Sequence, residues 1–281
     1  MPLVSSIPLV EAAAERRRAV LACNVSSVEM IQGVIAAAEE TGRPAIIQFN
    51  RAGLQQIGGV AVAAAVTRSL AEATARPVAL HLDHADTLAE LSAAADAGFT
   101  SLMIDGSTLP YESHRSLAAQ ARTLAAAAGC PLEAELGHVS GSEAGVTIAE
   151  ALLTEPDQAA QFVSDTGVNM LAVSIGNVHG PRSASVSLDF VRLERIRDVV
   201  PVPLVLHGAS GIATQELRGA VERGIAKINI GAAVHEAFAR GLREGLHGSG
   251  EARAALAAGR EAVRQCASAL LAASHIMPEP R

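Results

Sequence analysis

Eight short apolar runs rich in Val, Ile and Leu recur along the chain. They are AVLACNV (19–25), PAIIQF (44–49), PVALHLD (77–83), SLMIDGS (101–107), PLEAELG (131–137), MLAVSIG (170–176), PLVLHGA (203–209) and KINIGA (227–232). Between them lie stretches with Ala, Leu and Glu at helical spacing, over 28–41, 54–75, 87–97, 113–128, 155–166, 188–198 and 214–223. Near-continuous apolar runs suit strands buried on both faces, and their alternation with helices predicts a parallel sheet. Eight such units in about 250 residues fit a closed α/β architecture, the (β/α)8 TIM barrel, better than an open sheet. A doubly wound sheet would be expected to carry GxGxxG after its first strand, and none stands there. The chain therefore reads as one barrel domain over residues 1–281 with a C-terminal helical extension.

Punctuation agrees with that reading. Pro44, Pro77, Pro131 and Pro203 open four of the runs, where proline's missing N–H is tolerated. Polar residues and glycines gather at the other ends: LDHAD, IDGS, ELGHVSGSEAG, GNVHG, HGASG and NIGA. In a barrel of parallel strands those ends converge on one face, the face that carries catalysis. The longest connection, HVSGSEAGVTIAEALLT (138–154), has the glycines of a mobile flap.

Composition narrows the function classes. Apolar residues make up 49% of the chain, but much of this is alanine in helical stretches, so the mean hydropathy of +0.29 does not imply a membrane protein. No apolar run is long enough to predict a membrane span. The net charge of −7 is dispersed, which argues against a nucleic-acid footprint. Cys23, Cys130 and Cys266 form neither a disulfide framework nor a CxxC pair, and a reducing cytoplasm is the simplest setting.

The candidate chemistry lies in the strand ends. His84, His179 and His207 each stand at or just past the end of an apolar run, far apart in sequence. One such histidine would read as a hydrogen-bonded barrel residue. Three at equivalent ends point to a metal centre, since three protein ligands and an open position characterise catalytic zinc. Glu135 and Asp105 end two strands between those bearing His84 and His179, as further ligands or as partners of the ligands. Asp83 is an acid/base candidate beside the metal. Adjacent strand residues point to opposite faces, so Asp83 and His84 can share a site only if the strand breaks there. Asp86 would cap the following helix. HGASG and NIGA end the seventh and eighth strands, where barrels commonly bind phosphate through backbone N–H groups. Lys227 is the chain's one lysine, and at the start of its strand it is expected at the barrel bottom, unsuited to imine chemistry.

Taken together, HLDH, MIDGS, EAELG, a flap Glu, VHG, LVLHGASG and KINI, in this order over roughly 19–265, resemble the class II (zinc-dependent) ketose-bisphosphate aldolases. The resemblance implies reversible cleavage of a fructose- or tagatose-type 1,6-bisphosphate into dihydroxyacetone phosphate and an aldehyde, through a metal-stabilised enediolate. It implies Zn2+, or another divalent metal, on His84, His179 and His207, with Glu135 and Asp105 near it. Asp83 would act on the C4 hydroxyl and Glu143 would be the flap acid. Gly180, Gly208, Ser210, Asn229 and Gly231 fall at positions that hold the phosphate end, partly through a monovalent cation, and Asn24 matches an active-site asparagine. Arg253 would reach the distal phosphate across a homodimer or homotetramer. Small sugar phosphates, the cytoplasm and glycolytic carbohydrate metabolism complete the expectation.

Three departures from the family pattern bear on substrate. Gly231 and Ala232 stand where the family carries an Asn or Asp and a phosphate-binding Thr, so a hydroxyl is missing. Ala85 replaces a Gly or second His, and NRAGLQQIGG (50–59) lacks the usual small and hydroxyl residues. An aldolase for a different ketose phosphate is therefore the first alternative. A metal-dependent sugar-phosphate isomerase or epimerase is the second. A non-catalytic sensor has no use for Asp83 and Glu143.

Overall fold

The computed structural model describes residues 2–143, 146–148, 150–180 and 186–273. In chain order its strands are β1 (Val20–Asn24), β2 (Ala45–Phe49), β3 (Val78–Ala85), β4 (Ser101–Ile104), β5 (Leu132–Leu136), β6 (Ser140–Glu143), β7 (Val146–Ile148), β8 (Met170–Val173), β9 (Val178–His179), β10 (Leu204–Leu206) and β11 (Ile225–Ile230). Its helices are α1 (Ile7–Glu15), α2 (Val28–Thr41), α3 (Arg51–Ile57), α4 (Val60–Glu72), α5 (Leu88–Ala97), α6 (Tyr111–Ala127), α7 (Pro156–Thr166), α8 (Phe190–Val199), α9 (Thr214–Glu222), α10 (Ala232–Ser249) and α11 (Ala252–Ala273).

Eight strands close a TIM barrel in the order β1-β11-β10-β8-β5-β4-β3-β2, all pairs parallel. These are the eight apolar runs of the sequence. Each of the four prolines stands one residue before its strand. Lacking a donor, Pro77, Pro131 and Pro203 still use their carbonyls, which accept from Ala45, Leu102 and Leu171. The expected helix over 54–75 is broken into α3 and α4. Gly58 and Gly59, both at φ near +100°, make the break, in backbone that side chains with a Cβ avoid.

The barrel interior is layered. At the N-terminal end, Ala22, Ile46, Ala79, Met170, Val205 and Ala226 form an apolar layer against Val10 and Ala13 of α1, which plugs that end. Farther along, the inward positions turn polar: Gln48, His81, Glu133 and Lys227, all 0% exposed, then Asn24, Asp83, Glu135, His207 and Asn229. Such burial demands that these groups satisfy one another.

The 138–154 connection forms a β-ribbon at its described positions. β6 pairs antiparallel with β7 and parallel with β9, and Gly141 lies opposite His179. α10 and α11 pack on each other, and α11 packs on α2. The close approach needs glycine, since a Cβ on Gly241 would lie 2.5 Å from the Ala258 carbonyl oxygen. No helix among the described residues is long and apolar enough to cross a membrane.

Candidate metal centre and active site

The break that Asp83 and His84 require is present. Pairing between β3 and β4 shifts register between Leu82 and Ala85, and His84 has φ +50°. That left-handed conformation is uncommon for a residue with a Cβ. Asp83 keeps the inward direction set by Ala79 and His81, and the bulge turns His84 toward the same mouth. The following helix is capped differently from expectation. Thr87, not Asp86, accepts from the Glu90 N–H, and Glu90 reaches back to accept from the Asp86 N–H at 3.1 Å, one residue ahead of the cap, a variant of the capping box. Asp86 pairs instead with Arg51 at 2.8 Å.

Four side chains converge at the mouth. His84, Glu135, His179 and His207 each offer a ligand atom, all within 4.8 Å of one another. The three imidazole centroids are 4.8, 5.5 and 6.1 Å apart with steep interplanar angles, so the rings meet edge-on around one point. Backing carboxylates assign the nitrogens. His84 Nδ1 lies 2.7 Å from Asp105 Oδ2, which leaves Nε2 facing the cluster. His207 Nε2 lies 2.9 Å from Glu133 Oε1, which leaves Nδ1 facing inward, 3.0 Å from His84 Nε2. Asp105 thus orients a ligand and stands outside the cluster of four. Burial alone would raise its carboxyl, but the His84 imidazole and the Ser107 N–H outweigh this and hold it below the usual carboxylate range.

Glu135 and Glu133 lie two residues apart on one strand and differ in role. Glu135 Oε1 accepts from the Val139 N–H at 3.2 Å, whereas Oε2 is buried with no hydrogen-bond partner. Burial raises its carboxyl and the charge of Asp105 adds to this. A buried orphan oxygen among three imidazole nitrogens is a donor set that fits a divalent ion of borderline softness, zinc included. Glu133 is also fully buried, but Lys227 at 2.8 Å and then His207 overcome the desolvation and hold it well below the usual range. Lys227 is therefore not remote from the site. Its Cα lies low on β11, but its ammonium reaches up to Glu133 and donates to Asn229 Oδ1 at 2.7 Å. A buried, doubly engaged amine is not available as a nucleophile.

The same chain of contacts fixes Asp83. Its Oδ2 accepts from Asn24 Nδ2 at 2.7 Å and its Oδ1 from Asn229 Nδ2 at 3.2 Å, while Gln48 Nε2 donates to Asn24 Oδ1 at 2.6 Å. Asn177 links the loop that leads into His179 to His207, donating to the His207 carbonyl at 3.1 Å.

A cavity of about 540 Å3 opens beside the cluster and is lined by His179, Gly180, Gly208, Ser210, Asn229, Gly231 and Asn24. Gly208 at φ +63° packs so closely on the Val178 carbonyl that no Cβ fits. Gly231 caps the start of α10, and it lines this cavity together with Gly208 and Ser210 of the short turn that begins at Ala209. One expected residue lies elsewhere, and the side chain of a second is outside the described residues. Arg253 is exposed at the start of α11, away from its own chain's cavity, and the backbone of Glu143 lies on β6, with its side chain outside what is described. Sequence reasoning passed over Glu133, Asn177 and Gln48. Glu133 was open to discovery, because it shares the strand face of Glu135.

Known proteins are similar to this chain in sequence and fold. The family described as fructose-bisphosphate aldolase class-II matches residues 4–275. A fructose-bisphosphate aldolase of Geobacillus stearothermophilus is 37% identical over 246 residues, which span 87% of this chain and 86% of that protein. The crystal structure of the YdjI aldolase from Escherichia coli K12 superposes with a TM-score of 0.86 at 34% identity, covering 97% of both chains. A fructose-bisphosphate aldolase from Campylobacter jejuni gives a TM-score of 0.83 at 25% identity, over 97% of this chain and 95% of that one.

Proposed function

Because the chain belongs to the class II fructose-bisphosphate aldolases, a family of metal-dependent aldehyde-lyases, we propose that it cleaves the C3–C4 bond of a ketose 1-phosphate of fructose or tagatose type. The resemblance noted above extends this to the 1,6-bisphosphates. His84, His179, His207 and Glu135 would hold zinc, and the products are dihydroxyacetone phosphate and an aldehyde. The observation that carries the reading is the meeting of three edge-on imidazoles with the unpartnered Glu135 oxygen, next to an Asp83 fixed by two amides. When bound, the ion supplies a Lewis acid that draws charge toward the substrate's carbonyl end.

The chain's own residues do the rest. Asp83 takes the C4 hydroxyl proton as the C3–C4 bond breaks, and its two amide donors hold the carboxylate in one orientation for that transfer. Asp105 and Glu133 keep His84 and His207 in the tautomers that present a lone pair to the cluster. Gly180, Gly208, Ser210, Asn229 and Gly231 hold the phosphate, in part around a monovalent cation. Glu143, on the ribbon that also carries His179, returns a proton to C3. The reading includes one barrel domain with α10–α11 as its extension. It also places the enzyme in the cytoplasm as a homodimer or homotetramer, with Arg253 reaching a partner's site.

The test is triose-phosphate release from fructose and tagatose 1,6-bisphosphates and 1-phosphates by metal-loaded protein. Cleavage of one panel member, abolished in His179→Ala, is the expected result. No cleavage of any member by protein that retains its metal would remove the aldolase reading.

A further inference from the structure

The wall that α10 gives to the cavity carries an imidazole that the proposed chemistry leaves without a role. Gly231, Ala232, His235 and Phe238 all line the cavity, at spacings that make them neighbours on one face of the helix. His235 stands one turn beyond Gly231, and its backbone N–H bonds the Gly231 carbonyl at 3.1 Å. Side chains on a helix lean toward its N-terminus and cover the turn before their own Cα. The His235 side chain therefore leans toward the turn that begins at Gly231. Nothing larger than a methyl group stands on Gly231 or Ala232 to obstruct it.

That turn borders the phosphate cradle. Gly208 and Ser210 line the cavity from the end of β10, and Gly231 lines it from the end of β11, the next strand of the barrel. The short turn at Ala209–Gly211 is in contact with α10. An anion held between these two strand ends thus sits beside the start of α10, where the His235 ring can reach it. The ring is exposed to solvent along the cavity, yet its surroundings are crowded enough that burial lowers its pKa. A neutral imidazole still has one ring N–H to donate. A phosphate oxygen is the stronger kind of acceptor for it, because the acceptor is charged.

We infer that His235 is a substrate-binding residue, whose ring N–H donates to an oxygen of the substrate's 1-phosphate on the α10 side of the cradle. The inference deepens the aldolase reading and rests on it. Gly231 and Ala232 have no side-chain donor of their own, so on α10 that donor comes from one turn farther along.

The test is exchange of a C3 proton of dihydroxyacetone phosphate with D2O, followed by NMR on metal-loaded protein over a range of ligand concentrations. It needs no aldehyde, so its KM reports on the phosphate half alone. His235→Ala should raise that KM about 10- to 100-fold, the worth of one hydrogen bond to a charged group, and leave kcat within about threefold. His235→Gln keeps an N–H donor on a side chain of similar reach and should hold KM within about threefold of the unaltered protein. Absence of exchange in the unaltered protein refutes the aldolase reading and this inference with it. Exchange whose KM is unchanged in His235→Ala, or raised equally in both variants, overturns the inference and leaves the enediolate chemistry standing. A loss confined to kcat overturns it as well, since a phosphate donor acts on binding.

Discussion

Replacing Lys227 by Met tests the buried charge chain beneath the histidine cluster. Lys227 and Glu133 are both fully buried, with N···O at 2.8 Å, and Glu133 also backs His207. Met fills much of the lysine stem's volume, so the change removes charge more than packing. It leaves a carboxylate in the barrel interior without its main countercharge. Breaking a buried pair from one side costs about 3–5 kcal/mol. At about 2–4 °C per kcal/mol for a chain of this size class, Tm should fall by about 6–20 °C. Urea unfolding with an unchanged m-value gives the free energy directly. Glu133→Leu in the same protein should recover most of the loss, because no unpaired charge remains. A Lys227→Met loss below about 1 kcal/mol, or a double variant as unstable as the sum of the singles, would refute the coupling.

Three further outcomes follow from the same geometry. Asp83→Ala should lower kcat by about 10²–10⁴-fold, the range for a proton-transfer group, while metal content measured by elemental analysis stays unchanged. Gly208→Ala should cost about 1–3 kcal/mol in urea unfolding and raise KM for the phosphorylated substrate, since its φ of +63° and its contact with the Val178 carbonyl leave no room for a methyl. His81 is fully buried, and desolvation, with Lys227 nearby, drops its pKa well below the ordinary value. The unfolded chain then binds the extra proton first, so stability should fall as pH drops below about 6.5, by up to about 1.4 kcal/mol per pH unit, until the folded-state pKa is reached. His81→Gln should flatten that slope in unfolding free energies measured from pH 7.5 to 5, and an unchanged slope would count against a neutral buried imidazole.

The barrel was legible because its strands are buried on both faces and so appear as unbroken apolar runs. The histidine cluster was legible because a barrel gathers strand ends, so His84, His179 and His207 needed only equivalent positions to be brought together. The local devices were harder to read. The sequence makes a bulge at Asp83-His84 necessary but does not signal it, since its φ of +50° falls on a histidine rather than a glycine. Thr87 and Glu90 do spell a capping box, and the adjacent Asp86 competed with it. Gly58-Gly59 announces a helix break that helical periodicity on both sides obscured. Lys227 was misjudged because a strand position locates Cα, whereas a lysine ammonium reaches far beyond it. Glu133 follows from the two-residue period of β5 once Glu135 is taken as inward-facing.

The central claim is that His84, Glu135, His179 and His207 hold the ion on which C–C cleavage depends. The most direct measurement is cleavage of the fructose and tagatose 1,6-bisphosphates and 1-phosphates by one protein preparation, assayed as isolated, after exhaustive chelation and after titration with Zn2+. The account predicts loss on chelation, with recovery that saturates at one Zn2+ per chain and fails in His207→Ala. Undiminished cleavage by protein shown to be metal-free would contradict it.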